Sequence, residues 1–113
     1  MSWNSAEIRF IDREQVIRDL RRAVAEARSR YPEIRKVFLF GSLVNGTWTA
    51  DRDADLIVVV GKNFADFFES CRYQIYTDSI PVDSLVYSET EFNLLLTDPA
   101  GFLAQNVAAA LEL

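Results

Sequence analysis

Five residues of this chain have the types and spacing to do chemistry together: Gly41, Ser42, Asp53, Asp55 and Asp83. Gly41-Ser42 ends the apolar run Val37-Phe38-Leu39-Phe40, as a strand does when it breaks into a small-residue turn. Twelve residues after Gly41 stands Asp53-Ala54-Asp55, which runs straight into Leu56-Ile57-Val58-Val59-Val60. Asp83 lies inside a later apolar run, Ile80 to Tyr87. Carboxylates at and within buried strands are costly unless a cation meets them. Side chains two apart share a strand face, so Asp53 and Asp55 project the same way, about 6.5–7 Å apart along the backbone. Such a pair can bridge two metal ions roughly 3.5–4 Å apart. Asp83 on a neighbouring strand would stand about 4.8 Å away and supply a third ligand. A turn that opens a short helix aims its amides at an anion. Gly41 leaves room for the approach, and the Ser42 hydroxyl can bond a terminal phosphate oxygen. The set describes phosphoryl-type transfer, with a nucleoside triphosphate held by amides and hydroxyl and its charge met by metal.

Taken singly, each piece has a plainer reading. A lone Asp-x-Asp is ordinarily a surface turn or a helix cap, and a lone Gly-Ser is a turn. Asp83 alone could be a strand-end acid paired with Arg52 or Arg72. It is the conjunction, in order and at these spacings, that points to a nucleotide site. A metal-binding protein without nucleotide chemistry would explain the aspartates and leave Gly41-Ser42 without a role.

The chain has no histidine. That excludes a Ser-His-Asp triad, a Cys-His pair and histidine-rich zinc sites. Chemistry must therefore run on carboxylates, hydroxyls, backbone amides and metal, and an all-oxygen ligand set favours Mg²⁺ or Mn²⁺ over zinc.

The elements that must position these groups are readable from pattern. Asp12 reads as an N-cap with Gln15 completing a capping box. Val16, Ile17, Leu20, Ala23, Val24 and Ala27 then form a helical stripe that stops before Tyr31-Pro32. Ile34 to Phe40 reads as the first strand, and Leu43 to Gly46 as one helical turn ended by Gly46 in a left-handed conformation. Thr47 to Arg52 is a polar connector, and Ala54 to Val60 a strand covered on both faces. Phe64 to about Tyr76 is expected to be a helix with Phe64, Phe67, Phe68 and Cys71 inward. Val82 to Tyr87 is the third strand. Ser88 with Glu91 caps a helix running to about Leu96. Asp98-Pro99 reads as the start of a last helix carrying Phe102, Leu103, Val107, Ala108 and Leu111. The order α-β-(turn)-β-α-β-α-α predicts a small α/β fold, a mixed sheet flanked by helices, as one domain over residues 1–113.

Half of the 113 residues are hydrophobic and 26% are charged, the balance of a soluble globular domain. No run approaches the roughly 18–20 apolar residues of a membrane span, and the start lacks a signal-peptide layout. Cys71 is the single cysteine, so a cytoplasmic protein is expected. Net charge is −5, all 12 Lys and Arg lie at or before Arg72, and six acids with no base follow. A nucleic-acid duplex or an anionic membrane is therefore a poor partner for the last third. The early arginines (Arg13, Arg18, Arg21, Arg22, Arg28, Arg30, Arg35) read as a solvated helix face.

In Gly41-Ser42, Asp53-Ala54-Asp55-Leu56 and Asp83 the chain resembles the DNA-polymerase-β-like nucleotidyltransferase superfamily. Within it, the chain is most similar to the minimal single-domain branch (MNT) that accompanies helical HEPN-domain proteins. The resemblance covers nearly the whole chain and implies the polymerase-β-like nucleotidyltransferase fold. It implies that Asp53 and Asp55 bind both metals, that Asp83 is a metal ligand that helps activate the attacking hydroxyl, and that Gly41 and Ser42 hold ATP phosphates. It further implies transfer of AMP to a hydroxyl, and an antitoxin role in which a tyrosine of a HEPN partner, a ribonuclease, is modified. Many relatives carry arginine where this chain has Asn45 and serine where it has Arg52. The alternative of a different class is a catalytically weak or inactive module that neutralises a helical partner by complex formation. An apolar final helix suits either, or a dimer of this chain. Antibiotic transfer would need a further domain, and a polymerase would need a basic surface. Trp3 and Trp48 have no assigned role.

Overall fold

The computed structural model describes residues 12–45 and 53–113. Helix α1 (Arg13–Arg30) begins where the Asp12 side chain accepts from the Glu14 amide. The expected reciprocal bond, from the Asp12 amide to Gln15, does not form, because the Gln15 side-chain oxygen accepts from Arg18 instead and its NH2 donates to Asp19. Val16, Leu20 and Val24 are buried, with Ile17, Ala23 and Ala27 packed beside them, so the helical stripe is the core face. Strand β1 (Ile34–Phe40) leads through Gly41 into a single turn, α2 (Ser42–Asn45). Strand β2 (Ala54–Val60) follows, then α3 (Phe67–Cys71), β3 (Val82–Ser88), α4 (Glu89–Leu95), α5 (Phe102–Ala108) and a two-residue strand, β4 (Leu111–Glu112).

The sheet has the order β3-β2-β1-β4, with β2 parallel to β3 and antiparallel to β1, and β1 antiparallel to β4. This is the mixed α/β sheet flanked by helices that the sequence pattern predicts. Strand β2 is central and buried on both faces, as its unbroken apolar run requires. Its residues alternate between two cores. Ala54, Leu56, Val58 and Val60 join α1, while Ile57 and Val59 join Phe38, Phe92 and Leu103 under α4 and α5.

Three expectations are corrected. The helix expected over Phe64–Tyr76 is only α3. Asp66 caps it by accepting from the Glu69 amide, and the chain leaves it at Arg72 so that Tyr73 and Ile75 can enter the core. Phe67 and Phe68 therefore point outward, 75% and 82% exposed, as does Cys71, while Phe64 packs against Tyr73. The last helix starts at Phe102 with Gly101 at its cap, because Asp98 instead closes a turn, accepting from the amides of Ala100 and Gly101. Leu111 is not helical. It pairs with Leu39 as β4, a fourth strand that covers the outer edge of β1. The Ser88 cap on α4 forms as expected, accepting from Glu91. The expectations for Trp3, Gly46 and the connector Thr47 to Arg52, including Trp48, lie outside the described residues.

Candidate active site

The end of β1 and the beginnings of β2 and β3 meet at one end of the sheet. There Phe40 is the register partner of Asp55, and Asp55 is in turn the partner of Asp83 on β3. The Ala54 amide donates to the Pro81 carbonyl at 2.9 Å, which zips the two parallel strands together just below the acids. Gly41, Ser42, Asp53 and Asp55 line an open cleft of about 530 Å³. Asp83 stands beside it on the neighbouring strand, exposed, on the same sheet face as Asp55.

Gly41 is in the left-handed region, φ 83°, where a side chain is strained. It is also backed onto the acid: a Cβ there would stand 2.9 Å from Asp55 Oδ2. The Gly41 carbonyl accepts from the amides of Val44 and Asn45 and so starts α2. The first-turn amides of Ser42 and Leu43 are left without a helical acceptor. Leu43 is buried in the α1 core and anchors this turn. Arg13, at the start of α1, donates from Nε to the Leu43 carbonyl at 2.5 Å. That contact is absent from any reading of Arg13 as part of a solvated face. The available signal was only its position one residue after a helix cap.

Asp55 is half-buried and its carboxyl is pushed above the usual range, first by desolvation, then by the charge of Asp83 and of Asp53. Asp83 and Asp53 thus both act electrostatically on Asp55. Among the described residues the one ion pair is Lys62–Glu69 at 2.9 Å, far along the chain, so no described arginine or lysine pins any of the three. They do not form a closed three-carboxylate cage among the described residues. The like charges face one open cleft from two strands rather than converging on a point. The donor set is all oxygen and carries excess negative charge beside an amide-lined turn, which fits Mg²⁺ or Mn²⁺ and fits neither zinc nor a bare anion.

A second cavity, of about 480 Å³, lies on the α1 side of the sheet between α1 and residues 76–79. Asp19 is held below its usual range there by the Ser79 hydroxyl, at 2.5 Å, and by Gln15. Its lining includes three acids, Asp19, Glu26 and Asp78, beside one base, Arg22, and shares no residue with the lining of the acid cleft.

Comparisons with known proteins agree with this geometry. A protein from Methanocaldococcus jannaschii named "Putative protein adenylyltransferase MJ0604" is 30% identical over 60 residues, 53% of this chain and 60% of that protein. The chain thus matches less than two thirds of that relative's length. The crystal structure of a "putative nucleotidyltransferase" from Sulfolobus solfataricus superposes with a TM-score of 0.53 at 27% identity, covering 72% of this chain and 77% of that one. A family model described as "Nucleotidyltransferase domain" matches residues 20–98, a span that includes Gly41, Ser42, Asp53, Asp55 and Asp83. With most of its length inside that match, and with the same residues gathered at one end of the sheet, the chain belongs to the nucleotidyltransferase domain family.

Proposed function

We propose that the protein transfers AMP from ATP to a hydroxyl of a partner protein. The observation that carries the reading is the shared cleft, in which Gly41 and Ser42 face Asp53 and Asp55 and Gly41 is packed against Asp55 Oδ2. Nucleotidyl transfer needs both halves, a cradle for phosphate and a cluster of oxygen ligands. In this reading the amides of Ser42 and Leu43 and the Ser42 hydroxyl bind phosphate oxygens, and Asp53, Asp55 and Asp83 hold Mg²⁺ or Mn²⁺. When bound, the metal would neutralise charge on the triphosphate and on the oxygens entering and leaving phosphorus. The acceptor oxygen attacks the α-phosphorus as the α–β anhydride bond breaks. Pyrophosphate departs, and the hydroxyl proton passes to Asp83, which stands exposed beside the cleft on the neighbouring strand.

The similarity to the archaeal protein named a protein adenylyltransferase supports a protein acceptor. The similarity to the minimal branch supports a finer reading: a cytoplasmic antitoxin-type enzyme, one domain over residues 1–113, whose acceptor is a tyrosine on a HEPN-domain partner. No described helix is long and apolar enough to cross a membrane. A second reading, a module that binds nucleotide weakly and masks its partner by complex formation, draws on the open spread of the three acids.

Incubation with ATP, Mg²⁺ and the co-purified partner, followed by mass spectrometry, separates the two. An AMP increment on the partner, lost in Asp55→Asn, is the expected result. A complex that survives Asp53→Ala/Asp55→Ala with no increment at all supports the masking module instead.

A further inference from the structure

Helices α4 and α5 leave apolar side chains outside. Leu94 is 69% exposed, Phe102 55% and Leu95 42%, in helices of seven residues each. They are not scattered. With Tyr87 and Leu103 they border a largely apolar hollow of about 190 Å³. A grouped apolar surface is the mark of a contact site rather than of ordinary exposure.

This shelf is continuous with the acid cleft. Asp55, Ile57 and Val59 alternate onto the sheet face that α4 and α5 cover, and Asp83 and Tyr87 lie on the same face of β3. Phe40, register partner of Asp55, packs edge-to-face on Phe102 with ring centroids 5.8 Å apart. A segment lying along Leu94 and Phe102 is thereby led toward Asp55.

Charge states what such a segment carries. After Arg72 the sequence has six acids and no base. Asp98 borders the hollow and Glu91 acts on Tyr87 beside it. Asp53, Asp55 and Asp83 stand at the far end. Among the described residues, the base whose strand position gives it this face is Lys36, at the opposite end of β1 from Phe40. An apolar floor with an acidic rim is complemented by apolar side chains flanked by Lys or Arg. A second copy of this chain would set two acidic rims against each other across a two-fold axis, which disfavours self-association here.

Resting on the transfer reading above, we infer that the α4–α5 shelf docks the acceptor: a protein segment that pairs apolar side chains with Lys or Arg and places its hydroxyl at Asp83. Two probes test this on the full chain, a helical Leu/Lys peptide bearing one tyrosine and the same peptide with Glu at every Lys position. Fluorescence anisotropy reads peptide binding, and calorimetry reads Mg²⁺-ATP binding separately. The Leu/Lys peptide should bind about ten-fold tighter than the Leu/Glu peptide. Leu94→Ser/Phe102→Ser should remove most of that binding, while Phe67→Ser/Phe68→Ser, on the exposed pair of α3, leaves it unchanged. Equal binding of the two peptides, or equal loss in both double variants, overturns the docking assignment. So does a dimer in sedimentation that Leu94→Ser/Phe102→Ser dissolves. Loss of Mg²⁺-ATP binding alone would count against the transfer reading and leave the peptide result standing.

Discussion

Gly41 illustrates how much can rest on the absence of a side chain. Its positive φ and its closeness to Asp55 both forbid a Cβ, for independent reasons. Gly41→Ala should therefore destabilise the fold by about 1–2 kcal/mol from backbone strain. It should also weaken Mg²⁺-ATP binding as Asp55 is displaced; urea denaturation and calorimetry would read the two effects. Asp55 itself should show the opposite balance. Burial and two like charges oppose its ionised form, so Asp55→Asn in chelator-treated protein should melt at the same temperature as the parent or higher. Metal-dependent ATP binding should be lost. A marked fall in melting temperature would mean that Asp55 is structural rather than a site residue. That these groups share one end of the sheet was legible in the sequence, because one strand breaks at Gly41-Ser42 and the acids stand at the starts of the next two. Their electrostatic coupling was not, since it depends on the register that sets Asp83 beside Asp55.

At the scale of elements, capping chemistry and periodicity carried far. Asp12 and Ser88 start their helices where side-chain acceptors are available, and α1 buries the stripe its spacing predicts. The failures share a cause. Phe64–Tyr76 looks helical by composition, but Tyr73 and Ile75 gain more by entering the core than the segment gains by continuing as helix. The tail likewise trades a helical turn for pairing with β1. Tertiary burial overrides local preference in both cases. The short turn α2 is held from outside by Arg13, across 30 positions of chain. Arg13→Ala should leave the protein folded yet lower ATP affinity roughly three- to ten-fold, the worth of about one hydrogen bond. Arg13→Lys should fail to restore it, because a flexible ammonium does not reproduce the guanidinium contact. Affinity unchanged in Arg13→Ala would dismiss that positioning role.

For the molecule as a whole, stability runs through the core between α1 and the sheet, where Tyr73 is buried and donates to Glu33 Oε2 at 2.6 Å. Burial, then the Glu33 bond, pushes the Tyr73 hydroxyl from 10.0 up to about 12. In the unfolded chain it ionises near 10, so between roughly pH 10 and 12 the unfolded state releases a proton that the folded state keeps. Stability should fall as pH rises through that window. Tyr73→Phe should shrink the alkaline loss while costing some stability at neutral pH, where the Glu33 bond is gone; denaturation midpoints at pH 7 and 10.5 would show both. An alkaline loss identical in the variant would place its origin in the other tyrosines. By itself the sequence determined the residue types of the site, the two-faced burial of β2, the mixed α/β class and the acidic final third, because these follow from side-chain chemistry and from periods of two and 3.6. Only the tertiary structure decided that α3 is short, that the tail becomes β4, that Arg13 braces the α2 turn, and that an exposed apolar shelf adjoins the acids. Each of those depends on contacts between segments far apart in the chain, whose free energy no local pattern contains.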